Sequence, residues 1–331
     1  MATAIRYGDL TPFVVGMVLQ GLVGRVCAYI RRNRFSFEVF EKIGTDGSKD
    51  VVTNVDREAQ EMYLHPLIQC FPGYGIIAEE NFEISSRHSE GFRFSIDPLD
   101  GTKAFIRGQS HGIGSMIALS CNAGDILVAY VGDVMTGEIY GFCNPYTSGG
   151  VYRYHEDGDP HALVVNEHMS LNDQDLLFED PPDRSSMLTQ NMTSAVKLGG
   201  LFKKYQVGSG GIGISMARLW KGEVGGIVLS PNNDTPWDLN PVVGISKQRG
   251  FKFIPMLDDD SIHQELMPAL ITTTRRGYEL LVIHKSRFDE FIRWWLKFSR
   301  ASRIATKLGM DIGMGKAFIS GMGIGSPSGM I

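Results

Sequence analysis

The clearest helical pattern in the chain lies near its beginning, between Thr11 and Ile30. Apolar residues recur there three and four positions apart, which predicts an amphipathic helix lying on a core. The stretch follows an acid, Asp9, carries Gln20 and Arg25, and lacks a small-residue cleavage site. We therefore expect the first helix of the fold rather than a signal peptide or a membrane span. The apolar positions are Phe13, Val14, Met17, Val18, Leu22 and Val23.

Beyond this helix the pattern alternates between strand and helix signals. Three strand-like runs separated by short polar turns predict an antiparallel meander, and they are residues 115–120, 126–134 and 138–142. Helical patterns precede and follow the meander, at residues 56–70, 214–221, 238–245 and 286–300. We divide the chain into an N-terminal α+β half (1–180), a C-terminal α/β half (181–300) and a Gly/Met-rich tail (301–331) that could be flexible.

Composition narrows the range of partners. The chain has 331 residues, 43% of them hydrophobic, and a formal charge of -5 with scattered lysines and arginines. Such a chain can bury a core but has no basic stripe for nucleic acid, and nothing in it calls for a membrane. The four cysteines, Cys27, Cys70, Cys121 and Cys143, form no C-x-x-C pair, which favours reduced thiols in a cytoplasmic protein and disfavours zinc.

The most informative stretch is Phe94 to Thr102, which reads Phe-Ser-Ile-Asp-Pro-Leu-Asp-Gly-Thr. We expect a strand that Pro98 stops and a turn that Gly101 permits, so that Asp97 and Asp100 point to one side. These carboxylates and the Leu99 carbonyl are hard oxygen donors of the kind that Mg²⁺ requires, and Thr102 adds a hydroxyl. The alternative is a plain loop in which Asp100 caps the next helix.

Other acids stand at similar boundaries. Asp56 and Asp238 each begin a helical pattern and could be plain helix caps, and Glu79-Glu80 follows a short buried strand. Because strand side chains alternate, one glutamate of the pair should face a pocket and the other solvent or a partner. The turn from Gly208 to Gly213 could present backbone N–H groups to an anion, although tight packing explains it equally well.

Asp56, Glu79, the Asp97 to Thr102 element and Trp237-Asp238 together resemble, in order and spacing, the signature of the inositol monophosphatase superfamily. The resemblance covers about residues 10 to 300. It implies an α/β (α+β) fold, a layered α-β-α-β-α sandwich with a large antiparallel sheet and a second, smaller mixed sheet. It also implies a lithium-sensitive phosphomonoesterase that uses two to three Mg²⁺ ions and works as a homodimer.

The same resemblance implies roles for individual residues. Glu79, Asp97 and the Leu99 carbonyl would hold one metal, Asp97, Asp100 and Asp238 a second, and Glu79 a weaker third. Thr102 and Asp56 would position and activate the attacking water. Substrate would meet Gly101, Thr102, Ser209 and Asp238, with the phosphate held at the N–H groups of Gly101 and Thr102.

One departure from the family pattern bears on the substrate. Inositol-selective members carry a glutamate about seven residues before the Asp of Trp-Asp, where this chain has Pro231 in an expected loop. The substrate is therefore a small phosphorylated metabolite whose identity stays open among inositol monophosphate, 3′-phosphoadenosine 5′-phosphate, histidinol phosphate and fructose 1,6-bisphosphate. No nucleophile motif for a phosphoenzyme occurs. A catalytically silent sensor of a phosphate metabolite is the alternative from another class.

Overall fold

The computed structural model describes residues 12–44, 47–80, 82–84, 91–143, 150–155, 159–194, 199–257 and 267–308. The helices are α1 (Pro12–Asn33), α2 (Asn54–Cys70), α3 (Thr102–Ile106), α4 (Met187–Met192), α5 (Ile212–Trp220), α6 (Pro236–Arg249) and α7 (Phe288–Leu308). The strands are β1 (Val39–Ile43), β2 (Lys49–Thr53), β3 (Gly75–Ala78), β4 (Phe82–Ile84), β5 (Phe92–Asp100), β6 (Gly114–Cys121), β7 (Ile126–Asp133), β8 (Ile139–Cys143), β9 (Tyr152–Tyr154), β10 (His161–Ala162), β11 (Asp175–Phe178), β12 (Lys204–Val207), β13 (Gly226–Leu229), β14 (Asn232–Asp234), β15 (Phe251–Met256), β16 (Thr274–Arg276) and β17 (Glu279–His284).

Two large sheets carry the fold. The first has eight strands in the order β10-β9-β8-β7-β6-β5-β3-β4, and the predicted meander forms its centre. Its neighbours are antiparallel except for β3 and β5, which run parallel. The second sheet, β12-β11-β13-β17-β15, is mixed: its first three strands are parallel and its last two antiparallel to their neighbours. Two short ribbons, β1-β2 and β14-β16, stand apart from both.

Alternation along the strands sorts the apolar residues into three cores and five layers. Ile117 and Leu119 of β6 pack with α1 and α2, whereas Met116 and Ala118 face α5 and α6 on the other side of the sheet. The second sheet closes this middle layer, and its outer face packs against α4 and α7. The layers therefore run α-β-α-β-α, which confirms the predicted fold class.

Helix α1 explains the apolar stretch at the start of the chain. Over Phe13–Asn33 it is long and apolar enough to cross a membrane by length and composition alone. In the fold, however, one face of the helix belongs to the core beneath the first sheet, so the predicted amphipathic helix is confirmed. The predicted face is only partly right, because Leu22 and Val23 are buried whereas Phe13, Val14 and Met17 are 37–52% exposed. The buried residues of that face are Val15, Leu19, Leu22, Val23, Val26 and Ile30, each 0–1% exposed.

Two expectations about local structure need adjustment. The segment from Pro231 to Pro236 is not a plain loop, because Asn232–Asp234 forms β14 and pairs antiparallel with β16. The last helix does not end at Arg300 but continues to Leu308, into the segment assigned to the tail. Residues 309–331, the Gly/Met-rich remainder of that tail, lie outside the described residues.

A buried ion pair joins the two strands of the ribbon β14-β16. The Arg276 guanidinium bonds both oxygens of Asp234, through Nε at 2.9 Å and Nη2 at 3.0 Å. The two side chains are only 5% and 10% exposed. Arg276 also donates to the backbone oxygens of Leu229, Ser230 and Tyr278, so one cation holds the chain where it leaves β13.

Replacing Arg276 with methionine should therefore destabilise the fold strongly. Removing one partner of a buried ion pair leaves the other charge without compensation, which costs about 3–5 kcal/mol of unfolding free energy. Urea unfolding of Arg276→Met measures the loss. The exposed neighbour Arg275 offers the matched control, because Arg275→Met should stay within about 0.5 kcal/mol of the wild type. Equal stability of the two variants would contradict the structural role of the pair.

Candidate active site

A β-bulge in β5 brings the two central aspartates to one side. Asp97 pairs with Met116 and Asp100 pairs with Gly114, so three residues of β5 span two of β6. In a regular strand, residues three apart point to opposite faces, and one extra residue reverses that relation. The sequence predicted that Pro98 would stop the strand. In the structure the strand continues past Pro98, which lies in the bulge. The expected consequence, two carboxylates on one side, is what the structure shows.

Asp238 completes a cluster with this pair. One carboxylate oxygen from each of Asp97, Asp100 and Asp238 lies within 4.8 Å of the others. Asp238 belongs to the first turn of α6, where Thr235 is the N-cap and Pro236 the first helical residue. Thr235 Oγ1 donates to Asp238 Oδ2 at 2.6 Å, so Asp238 is held by the cap rather than being the cap itself. The alternative reading of Asp238 as an N-cap is wrong.

Burial and mutual repulsion make the cluster costly without a cation. Burial, followed by the charges of Glu79, Asp100 and Asp238, raises the pKa of Asp97 well above its ordinary value. Burial and Asp238 raise the pKa of Asp100 to about 8. Asp97 is 2% exposed, and its Oδ1 is buried without a hydrogen-bond partner among the described residues. An unpaired buried carboxylate oxygen surrounded by other acids suits a hard divalent cation, so the donor set fits Mg²⁺.

Glu79 lies beside Asp97 but is engaged by a lysine that the motifs did not reveal. Its backbone N–H bonds Ile96 O at 3.2 Å, which continues the parallel pairing of β3 with β5. Lys42 of β1 reaches across and donates to Glu79 Oε1 at 2.9 Å and also to Glu80. Glu79 lines the cleft with 22% of its side chain exposed, whereas Glu80 does not line it. Both carboxylates meet the same Lys42 nitrogen, so the pair does not alternate between opposite faces as the strand pattern predicted.

Asp56 is not the N-cap of α2, because Thr53 holds that position, but its carboxylate bonds both the cap residue and Thr102. Its Oδ2 accepts from the Thr53 backbone N–H at 2.9 Å and closes a capping box at the start of α2. Its Oδ1 accepts from Thr102 Oγ1 at 2.8 Å. The same hydroxyl lies 3.2 Å from Leu99 O, which places the expected metal-ligand carbonyl against the Asp56-Thr102 pair. Burial raises the pKa of Asp56, and the hydrogen bonds from Thr53 and Thr102 oppose that shift.

The glycine turn before α5 holds Asp100 instead of offering itself to an external anion. Gly213 N donates to Asp100 Oδ2 at 2.8 Å, at the N-terminus of the helix. A Cβ on Gly211 would lie 2.1 Å from the Asp100 carboxylate, so this position requires glycine. The alternative reading of Asp100 as a cap of the next helix is wrong, since Gly101 occupies that position.

Three glycine turns cross below the cleft with their backbones in contact. Gly101, Gly112 and Gly210 all have positive φ, of 93°, 75° and 108°. A Cβ on either Gly101 or Gly210 would lie 2.3 Å from Gly112 O. Gly112 was not singled out in the sequence, because only the fold brings these turns together. Next to the crossing, Ser209 Oγ lies 3.1 Å from His111 Nε2.

These residues share one cleft of about 690 Å³. It contains every expected metal ligand together with the three substrate-binding candidates Gly101, Thr102 and Ser209. Asp56 is buried behind Thr102 and does not line the cleft itself. Residues that the sequence did not single out also line it, and they are Asp50, Lys103, Arg107, Glu179, Asp180, Ser230 and Arg276.

Comparison with known proteins agrees with this arrangement. A family model described as the inositol monophosphatase family matches residues 17–252. The Nus factor SuhB of Vibrio cholerae is 42% identical over 107 residues, which cover 32% of this chain and 39% of that protein. The Inositol-1-monophosphatase of Bacillus subtilis is 31% identical over 103 residues, covering 31% of this chain and 37% of its own length. The chain thus matches well under half the length of these curated relatives.

A solved structure extends the likeness to nearly the whole described fold. The structure of an IMPase/NADP phosphatase complexed with NADP and Ca²⁺ superposes with a TM-score of 0.64. The match covers 87% of this chain and 97% of the other at 18% sequence identity. At that identity the likeness concerns the fold alone.

The cluster predicts a pH-dependent response to magnesium. The aspartates have raised pKa values in the metal-free fold, so folding takes up protons above pH 4 and stability falls as pH rises towards 8. A bound cation removes this penalty. The rise in melting temperature on adding Mg²⁺ in place of EDTA should therefore grow from pH 5 to pH 8. Differential scanning calorimetry measures it, and Asp97→Asn should flatten the trend. A rise independent of pH would contradict the interpretation.

Proposed function

Because this chain belongs to the inositol monophosphatase family, we propose that it is a Mg²⁺-dependent phosphomonoesterase acting on a small phosphorylated metabolite. The observation that carries the proposal is the cluster of Asp97, Asp100 and Asp238, with a buried unpaired oxygen on Asp97, in one cleft with the Asp56-Thr102 pair. A purely structural site would leave that oxygen and the repulsion among the acids without a purpose.

In this proposal the carboxylates and one carbonyl hold two to three Mg²⁺ ions. The ligands are Glu79, Asp97, Leu99 through its carbonyl, Asp100 and Asp238. When bound, the ions neutralise the phosphate ester and make a water acidic enough to attack phosphorus. The hydroxyl of Thr102 donates its proton to Asp56. The lone pairs of Thr102 Oγ1 are therefore free to accept a hydrogen bond from that water. Asp56 and Thr102 thereby orient the nucleophile, and no phosphoenzyme forms.

The phosphate group would lie at the glycine crossing, against the backbone N–H groups of Gly101 and Thr102. Ser209, on the turn that crosses Gly112, lies on the same cleft wall. The leaving alcohol would extend from there between the turn at Ser209 and the chain that leaves β13. Asp238, a member of the metal cluster, lines the same cleft as that chain.

The names of the relatives leave the substrate open. One relative is named Inositol-1-monophosphatase and one neighbour IMPase/NADP phosphatase, so inositol monophosphate is the first substrate to test. Pro231 replaces the glutamate of inositol-selective members, which keeps a 3′(2′),5′-bisphosphate nucleotide, histidinol phosphate and fructose 1,6-bisphosphate in the panel. Lithium sensitivity, a cytoplasmic location and a homodimer belong to the same proposal by family analogy.

Phosphate release from these four esters tests the proposal. We expect release from at least one ester with Mg²⁺, none with EDTA, and suppression by Li⁺. Asp97→Asn should reduce the rate by about 10³-fold or more, because a buried ligand of the cation is lost. The exposed Asp183 provides the control, since Asp183→Asn should leave the rate unchanged. Tight Mg²⁺ binding with no release from any ester would instead support the silent sensor.

The Thr102 hydroxyl should matter for turnover and not for metal affinity. Thr102→Val keeps the shape of the side chain but removes the group that links Asp56 to the cleft. We expect kcat to fall by about 10²-fold with Mg²⁺ affinity unchanged, since positioned proton acceptors contribute 10²–10⁴-fold. Steady-state kinetics and calorimetric Mg²⁺ titration give the two quantities. Thr193→Val, at the residue that follows α4, is the control, and an unchanged kcat in Thr102→Val would remove Thr102 from the mechanism.

A further inference from the structure

We propose that Glu179 selects the substrate by binding a hydrogen-bond donor, above all an ammonium group, on the alcohol part of the phosphate ester. The inference deepens the proposed function, because it concerns the leaving-group side of the same cleft. It assigns to Glu179 a role in specificity and leaves the chemistry at phosphorus to the aspartate cluster.

The topology places Glu179 where a ligand is expected. Strands β12, β11 and β13 are parallel neighbours, and their carboxyl ends all open into the cleft. In sheets of this kind, ligands bind beyond the carboxyl ends of the strands. The residues that follow the three strands are Gly208, Glu179 and Ser230, and all three line the cleft. Glu179 is the one charged side chain among them.

The surroundings of Glu179 leave space for a ligand. Gly208 N donates to Phe178 O at 2.7 Å, which holds the glycine turn beside the start of the Glu179 segment. The first three residues of that turn and the residue that directly follows β13 are small and line the cleft: Gly208, Ser209, Gly210 and Ser230. A carboxylate bordered by small side chains can meet a group on a substrate without displacing protein.

Glu179 also has hydrogen-bonding capacity to spare. Its Oε2 accepts from the Ser230 backbone N–H at 3.0 Å, which anchors the carboxylate to the end of β13. Within the described part of the chain this is the one hydrogen bond that the side chain makes. A carboxylate offers about four lone-pair positions on two oxygens, so Oε1 can accept from a ligand while Oε2 stays anchored.

The charge balance of this wall favours a cationic ligand. Arg276 is the nearby cation, but its five N–H donors are directed at Asp234 and at the backbone oxygens of Leu229, Ser230 and Tyr278. Asp234 neutralises its charge, whereas Glu179 and Asp180 face the cleft without such a partner. A second anionic group on the substrate would be repelled here, and an ammonium group would be attracted.

Electrostatics around Glu179 agree with that preference. Burial raises its pKa to about 7, against the lowering effects of the Ser230 hydrogen bond and the Arg276 charge. A bound ammonium would restore the ionised form by supplying a positive charge next to it. The remaining cations of the cleft are Lys103 in α3 and Arg107 at the end of that helix, and Lys103 is paired with Asp50 at 3.0 Å.

Matched pairs of ligands test the inference directly. Aminoalkyl phosphates of about two to five carbons carry an ammonium at increasing distance, and alkyl phosphates of the same length carry no donor. Calorimetric binding with Ca²⁺ in place of Mg²⁺ compares each pair in wild type, Glu179→Gln and Glu61→Gln. Glu61 is an exposed residue of α2 and lies outside the cleft, so it controls for the loss of one carboxylate.

We expect wild type and Glu61→Gln to bind at least one aminoalkyl phosphate about tenfold more tightly than its alkyl counterpart. Glu179→Gln should lose that preference and leave alkyl phosphate binding unchanged, because a charge-assisted hydrogen bond is worth about tenfold or more. Equal weakening of both ligands in Glu179→Gln, or no preference in wild type at any length, would overturn the inference.

Phosphate release from the same ligands with Mg²⁺ separates this inference from the proposed function. If wild type releases phosphate without discriminating between the paired ligands in binding, the phosphatase stands and the role of Glu179 is rejected. If wild type prefers the aminoalkyl ligand through Glu179 but releases no phosphate, the phosphatase is rejected and Glu179 is assigned to ligand recognition by a sensor.

Discussion

Repulsion among buried carboxylates is the constraint on which the rest of this structure depends. Glu79, Asp97, Asp100 and Asp238 converge on one cleft, and burial raises the pKa of each; neighbouring acids of the cluster raise the pKa of Glu79, Asp97 and Asp100 further. The protein anchors three of them with its own donors: Lys42 bonds Glu79, Gly213 N bonds Asp100 and Thr235 bonds Asp238. Asp97 alone keeps a buried oxygen with no partner among the described residues, which makes it the natural centre of a cation site.

Those anchors come from the ribbon β1-β2 and from the two helices between the sheets, so the site forms only when these elements are assembled on β5. The bulge in β5 aligns Asp97 with Asp100, α5 delivers its N-terminus to Asp100, and α6 delivers Asp238. Glycines are required where these elements cross, because side-chain atoms would collide with backbone or carboxylate. Elements packed this closely hold their ligands in position before a cation or substrate arrives, which lowers the cost of binding either.

The two ends of the cleft are built on different principles. At the metal end, the carboxylates cluster, and their negative charge favours the binding of cations. At the β13 end, Arg276 bonds Asp234 and backbone oxygens. Its guanidinium therefore stabilises the cleft wall and has no donor left for a ligand. Glu179 lies at this second end, anchored by Ser230 and with lone pairs available. The division separates chemistry at phosphorus from recognition of the alcohol.

The sequence by itself determined the elements whose signals are local. Periodicity located α1, α2 and the meander, and the ordered acids identified the family and the candidate ligands. Only the tertiary structure decided what each acid does. Asp56 and Asp238 proved not to be N-caps, because Thr53 and Thr235 hold those positions, and Asp56 proved to bond Thr102 as well as to close the capping box. The glycine turn proved to hold Asp100. Lys42, Gly112 and Glu179 escaped notice because their importance rests on contacts with distant segments. Propensity and spacing report on neighbours along the chain, whereas a site made of five layers is defined by neighbours in space.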